Sequence, residues 1–260
     1  MFRAVFTFLV NTPFYPHWLS MLKANAENDE LISYFYGRVL ETGCGNCVKK
    51  ERALQLNKKI KEYIATDYSS WDEDFAKQAK IIESLGMITR IFYGKAKDKA
   101  RIDVECNALD LQFKKNSFDI YYNYSVLEHI EDPIRFFAEA HRVLKKGGLC
   151  ITSTPFLYRD HGGIEKDFYR FTKGGYQYLA KRTGFTIEHI YTYSYFGTTI
   201  ASMINHYIIR KIAEGPIIIR IALFLVSPFI FFVTNMFGFI IDIFDHDDRF
   251  AYSYCVIMRK

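Results

Sequence analysis

Val39-Leu40-Glu41-Thr42-Gly43-Cys44-Gly45-Asn46 is the stretch on which the reading of this chain turns. An apolar run ends in an acid, and two glycines follow at Gly43 and Gly45. A buried parallel strand ends this way when its backbone must turn tightly beneath a nucleoside ligand. Gly-x-Gly after a strand also suits a dinucleotide site or a plain tight turn. The segments that follow must therefore decide.

Outward from that strand (Arg38–Glu41) the order is regular. Val48–Asn57 reads as a helix, and Glu62–Asp67 as a short apolar strand ending in an acid. Trp71–Leu85 has helical spacing, with Phe75, Ala79, Ile82 and Leu85 on one face. Arg101–Cys106 and Phe118–Tyr124 are strands. The second is almost continuously apolar and aromatic, as a strand buried on both faces requires. Pro133–Leu144 is a helix with proline near its start, stopped by Lys145-Lys146-Gly147-Gly148. Leu149–Ser153 is the next strand, Gly174–Thr183 a helix, Phe185–Tyr193 a strand and Tyr252–Met258 the last. Strands alternating with helices predict an α/β fold with a doubly wound, mostly parallel sheet.

Ligands of such sheets sit beyond the carboxyl ends of the strands. There the sequence offers Gly43 and Gly45 for close backbone approach and Asp67 for both hydroxyls of a ribose. It also offers Asn107-Ala108 for an adenine edge, and Asn123-Tyr124 at the end of the fourth strand. With Ser117-Phe118-Asp119-Ile120, Val126-Leu127-Glu128-His129-Ile130 and Arg142–Gly148, these residues resemble class I S-adenosylmethionine-dependent methyltransferases. The group concerned includes the ubiquinone- and menaquinone-biosynthesis enzymes, and the resemblance covers residues 38–155. It implies a seven-stranded Rossmann-like sheet and S-adenosylmethionine as cofactor. Glu41, Gly43 and Gly45 would hold the methionine end with Tyr124 nearby, Asp67 the ribose, and Asn107 and Ala108 the adenine. This chain departs from the pattern twice: Cys47 stands where a third glycine is common, and Asn107 replaces an aspartate. The rival cofactor is NAD, which a ribose-binding acid some twenty residues past the glycines also suits. Glu41 and the Val-Leu-Glu-His segment do not belong to that pattern.

The 260 residues are 50% apolar, enough for one α/β core with additions. The net charge of +5 is mild, and the lysines are scattered rather than striped with aromatics, so nucleic acid is not indicated as a partner. Five cysteines, odd in number and irregularly spaced, argue against a disulfide framework and for a reducing, cytoplasmic setting. Cys44 and Cys47 form a C-x-x-C without a second pair, so no metal site is predicted. Met1–Val10 is apolar but too short to span a bilayer.

Methyl transfer from a sulfonium asks a protein mainly for proximity and alignment, and a hydroxyl acceptor also needs a base. The segment Thr154-Pro155-Phe156…His161…Asp167-Phe168-Tyr169-Arg170-Phe171-Thr172 follows the fifth strand and concentrates suitable groups. His161 or Asp167 is the expected base. His129, Tyr169 and Arg170 are the expected substrate-placing residues. The competing reading pairs Asp167 with Arg170 to pin the loop, and gives His129 a structural role. The segment resembles a methyltransferase subgroup linked to surface-glycan assembly, which implies O- or N-methylation of a sugar-like acceptor.

One segment does not fit a plain methyltransferase. Between the last two strands lies an insertion, Gly197–Arg249, and within it Ile221–Ile241 carries no charge over 21 residues. That is long enough to span a bilayer. A single crossing would leave Tyr252–Met258 on the wrong side of its partner strands, and Pro228 would kink or break a helix. Two short helices are expected, dipping into one leaflet or packing on protein, a second copy included. The domains are then 1–196 as methyltransferase core, 197–249 as hydrophobic insertion and 250–260 as the final strand. The sequence predicts a cytoplasmic-facing methyltransferase, peripheral to a membrane through residues 216–244, acting on a small polar or lipid-linked glycan acceptor. The alternatives are a lipid or quinone methyltransferase, and a non-catalytic membrane scaffold of the same fold.

Overall fold

The computed structural model describes residues 11–45, 47–68, 102–161 and 166–260. The chain runs α1 (Trp18–Ser33), β1 (Gly37–Thr42), α2 (Val48–Leu56), β2 (Ile60–Asp67), β3 (Val104–Glu105), β4 (Phe118–Tyr124), α3 (Pro133–Val143) and β5 (Leu144–Pro155). It continues through α4 (Lys173–Thr183), β6 (Thr186–Tyr191), α5 (Phe196–Glu214), α6 (Ile217–Phe244) and β7 (Ser253–Arg259). The expected helix Trp71–Leu85 lies outside the described residues. Contacts divide the rest into two units. One holds residues 27–68, 102–192 and 253–260; the other holds 11–26 and 193–252. Residues 11–26 thus belong with the insertion, not with the core to which the sequence assigned them.

In the first unit a seven-stranded sheet has the order β3-β2-β1-β4-β5-β7-β6. The pairs among β1 to β5 are parallel, and β7 runs antiparallel to both neighbours. This is the predicted doubly wound class. The central strands are apolar on both faces, and Val39, Ala65, Ile120, Ile151 and Ile257 are completely buried in them. α3 turns Phe136, Phe137, Ala140 and Val143 inward, all completely buried, and its first turn is capped by Asp132, which accepts the Arg135 N–H at 2.9 Å. Two sequence expectations change. Arg101–Cys106 shortens to β3, two residues long. Lys145-Lys146-Gly147-Gly148 is not a turn but a bulge inside β5: pairing with β4 jumps from Phe118↔Leu144 to Ile120↔Leu149. The extra residues are absorbed while the strand continues.

In the second unit α5 and α6 form an antiparallel hairpin closed at Gly215-Pro216. The backbones touch near its open end: a Cβ on Gly238 would lie 2.4 Å from the Gly197 carbonyl oxygen. The expected split of the apolar run into two short helices at Pro228 does not occur: Pro228 lies inside the single 28-residue α6, and the chain turns earlier, at Gly215-Pro216. Proline there cannot donate to the carbonyl four residues back. That carbonyl, on Phe224, instead accepts the Ser227 hydroxyl at 3.1 Å.

Candidate active site

Parallel pairing brings the carboxyl ends of β1, β2 and β4 to one rim of the sheet. At Gly43 the chain turns away with φ 70°, and a Cβ there would lie 2.3 Å from the Val126 side chain. The glycine loop and the Val-Leu-Glu-His segment therefore close on each other with no room for a side chain. Gly45 (φ 55°) donates its N–H to Asp67 Oδ2 at 2.7 Å, while Asp67 Oδ1 accepts the Tyr68 N–H at 2.8 Å. Cys47 caps α2 with φ 54°, the left-handed backbone that a glycine holds without strain. The Cys44 and Cys47 thiols touch, both buried, and burial pushes both pKa values up, so they stand as neutral thiols.

Glu41 is 1% exposed at the end of β1 and accepts the Tyr63 hydroxyl at 3.0 Å. Burial raises its pKa. Lys49, from the first turn of α2, places its ammonium 3.3 Å from the Tyr124 ring centroid, and its charge acts on Glu27, Glu41 and Glu128. A cation on an aromatic face among buried carboxylates is a stable arrangement. Glu27 comes from α1 and accepts the Ser153 hydroxyl at 2.6 Å; burial pushes its pKa up to about 7. At the end of β3, Asn107 turns its amide oxygen onto the Leu109 N–H at 2.8 Å. One lone pair and the amide N–H groups remain for an adenine, beside the half-buried Ala108.

The other side of the rim is built by the loop after β5. Asp167 Oδ2 accepts the His161 backbone N–H at 2.8 Å and faces His161 Nδ1 at 3.2 Å. Arg170 holds both Asp167 oxygens, at 2.5 and 2.6 Å. Its remaining donors go to the carbonyls of Tyr158, Arg159 and Tyr169. Arg170 therefore pins the loop and has no donor left for a substrate. Burial alone would raise the Asp167 carboxyl. The hydrogen bonds from Arg170 and His161, with their charges, hold it well below the usual carboxylate range. Burial pushes His161 down to about 4, so its imidazole is neutral at physiological pH. His129 directs Nδ1 to the Lys166 carbonyl and stacks edge-on against His161, ring centroids 4.9 Å apart. Tyr169 donates its hydroxyl to the Glu131 carbonyl at 3.0 Å.

Between the two histidines stands Glu128, fully buried, and among the described residues neither carboxylate oxygen has a hydrogen-bond partner. Its Oε1 lies 3.8 Å from both His129 Nε2 and His161 Nε2, and burial pushes its pKa up to about 8. Ligand atoms of Glu128, His129 and His161 fall within 4.8 Å of one another, the one such trio among the described residues. The sequence reading quoted Glu128 within its motif without giving it a role. Glu27 carried no expectation, and Lys49, counted among the scattered surface lysines, instead lies over the Tyr124 ring.

Residues 40–152 match the family model described as a methyltransferase domain. This chain carries a methyltransferase domain. Its cofactor is S-adenosylmethionine, and the rim fits that molecule. Gly43 packs its backbone against Val126, Asp67 ties the glycine loop to the end of β2, and Lys49 lies over the Tyr124 ring. The chain is 26% identical over 117 residues to the ubiquinone biosynthesis O-methyltransferase of Pelagibacter ubique, covering 45% of this chain and 41% of that one. It is 39% identical over 56 residues to a Mycobacterium tuberculosis protein described as a probable S-adenosylmethionine-dependent methyltransferase, covering 21% and 20%. The chain thus aligns with less than half the length of these relatives. Its fold matches a chain of the Haloferax volcanii complex between the Trm112 methyltransferase activator and a methyltransferase. That match has a TM-score of 0.50 at 14% identity, covering 94% of this chain and 89% of that chain.

Proposed function

We propose that this protein is an S-adenosylmethionine-dependent methyltransferase that methylates a hydroxyl of a small polar or lipid-linked acceptor, with His161 as general base. The supporting observation is the Asp167–His161 pair. Asp167 is anchored by Arg170 and faces His161 Nδ1 at 3.2 Å; with the proton on Nδ1, the Nε2 of the neutral imidazole, 3.8 Å from Glu128 Oε1, keeps a lone pair to accept one. An ionised Asp167 held by a guanidinium is itself a poor base. When bound, the cofactor supplies a methyl group on a sulfonium. An acceptor hydroxyl placed in line would take that methyl as the carbon–sulfur bond breaks, its electron pair staying on the sulfur, and His161 Nε2 would accept the hydroxyl proton. Glu41, Gly43, Gly45, Asp67 and Tyr124 hold the cofactor in line, with Asn107 and Ala108 on the adenine. His129 and Tyr169 shape the acceptor side.

A second acceptor reading, a phenolic hydroxyl on an apolar molecule, is favoured by the likeness to a ubiquinone biosynthesis O-methyltransferase. Calorimetric titration with S-adenosylhomocysteine should give micromolar affinity that Asp67→Ala weakens at least tenfold. A screen of glycan, lipid-linked and phenolic acceptors with labelled methyl donor then separates the two readings. Turnover should survive a chelator. Loss with EDTA, restored by a divalent cation, would hand Glu128, His129 and His161 to a metal and overturn His161 as base.

A further inference from the structure

The polar side chains of α6 are all tied inward. Arg220 donates to the Ile212 carbonyl at 2.9 Å, Ser227 to the Phe224 carbonyl at 3.1 Å, and Thr234 to Asn205 Oδ1 at 2.6 Å. Asn235 donates to the Pro13 and Tyr15 carbonyls, both at 2.8 Å, and Asp242 accepts the Thr198 N–H at 3.1 Å. The outward face is left without a single polar side chain. Ile221, Leu225, Phe229, Val233, Phe237 and Ile240 follow one another at three- and four-residue steps and are between 47% and 73% exposed. An amphipathic helix of a water-soluble protein has the opposite arrangement, apolar in and polar out.

The nature of this face selects its occupant. A protein partner is met by an apolar centre with a polar rim and a hydrogen bond for every 100–200 Å² or so. Here 21 successive residues offer no side-chain donor or acceptor outward, which only hydrocarbon can match without loss. The stripe is bounded by charge at both ends: Arg210, Lys211 and Arg220 at the hairpin tip, and Asp242, Asp245, Asp247 and Asp248 at the other. Small residues let the two backbones touch at Gly197 and Gly238, the packing that helices use when lipid surrounds them. The covering segment beside the middle of α6, tied on through Asn235, carries an exposed Asn11. A helix set across a bilayer would bury that asparagine in hydrocarbon.

We propose that α6 lies in the plane of a bilayer leaflet, its outward stripe in the acyl layer, and that this hairpin is a membrane-binding element. The strand pairing agrees with entry and exit on one side. Tyr191 at the end of β6 pairs with Cys255 of β7, so the chain leaves and re-enters at neighbouring positions. The inference stands independently of the methyl-transfer chemistry.

The test is flotation of the purified full chain with phosphatidylglycerol/phosphatidylethanolamine vesicles. Wild type should float and stay bound in high salt. The double variant Leu225→Glu/Phe229→Glu, both sites exposed, should lose at least tenfold in partitioning, with unchanged helicity and unchanged S-adenosylhomocysteine affinity. Leu56→Glu, an exposed apolar residue of the other unit, should float like wild type. Quenching of Ile221→Trp, Phe229→Trp and Phe237→Trp by brominated lipids should report one shallow depth for all three. Wild type that stays in solution overturns the proposal, as does a dimer dissociated by the double variant, which would make a second copy the occupant. A depth gradient along the stripe overturns the in-plane placement.

Discussion

In the α5–α6 hairpin Asn205, Asn235 and Asp242 are buried, and each is hydrogen-bonded to a neighbouring helix or to the segment before α1. At the rim of the sheet, Glu128 and the Asn123 amide nitrogen are equally buried and have no hydrogen-bond partner among the described residues. Leaving a buried polar group unpaired costs about 1–3 kcal/mol, and more for a carboxylate. The hairpin avoids that cost, while the rim carries it. Burial alone therefore does not mark function. The informative difference is whether the buried group is already paired, because an unpaired one in a cleft is available to a ligand or a proton.

The comparison can be broken in several ways. The largest effect is expected at the rim. His161→Ala should lower kcat by about 10²–10⁴-fold, while S-adenosylhomocysteine affinity changes little. A matching loss of affinity would make His161 a structural residue. The pH profile sharpens this. With His161 at about 4, the neutral imidazole persists as pH falls, and activity should hold from pH 8 to pH 5. A fall centred near 6.5 would assign the base elsewhere.

In the hairpin the change should appear as stability instead. Asn235→Leu orphans the Pro13 and Tyr15 carbonyls and should cost about 3 kcal/mol in denaturant unfolding of the hairpin unit, without lowering cofactor affinity. A third variant tests the rim's burden from the opposite side. Glu27 has its folded pKa raised from 4.5 to about 7. Glu27 therefore costs nothing below pH 4.5, where it is protonated in both states, and its burial penalty develops as pH rises through 7. Glu27→Gln should stabilise by about 3 kcal/mol at pH 8 and by nothing at pH 4. A pH-independent effect would show that folding leaves the Glu27 pKa unshifted. The smallest effect concerns a rim residue that is already paired. Thr172 caps α4 by accepting the Gly175 N–H at 3.1 Å. Thr172→Ala should cost about 1 kcal/mol in stability and leave cofactor binding unchanged.

Much of the rim was legible because strand ends have a local signature. Glu41, Gly43, Gly45 and Asp67 each close an apolar run, and alternation with helices places those ends together. Glu27 has no such signature. It lies in a helix of unremarkable pattern and reaches the rim only by meeting Ser153, 126 positions away. Arg170 was ambiguous, because one residue type can serve a substrate or a loop and only the five donor directions decide. The bulge at Lys145–Gly148 was read as a stop, since Lys-Lys-Gly-Gly has turn composition and strand continuity depends on β4. Pro228 was read as a breaker because the rule for proline considers the lost N–H and not the hydroxyl of the residue before it.

The place of β7 affects how this protein can be made. It lies between β5 and β6, antiparallel to both, yet it is synthesised after the whole hairpin. While residues 192–252 emerge from the ribosome, β5 and β6 both wait with an open edge in the interior of the future sheet. Unpaired edges of that kind recruit other chains. The apolar hairpin emerges during the same interval. Docking of the hairpin before β7 closes the sheet would shorten the time for which both hazards coexist, so expression without membranes should yield aggregation that begins at the nascent chain rather than in the finished protein.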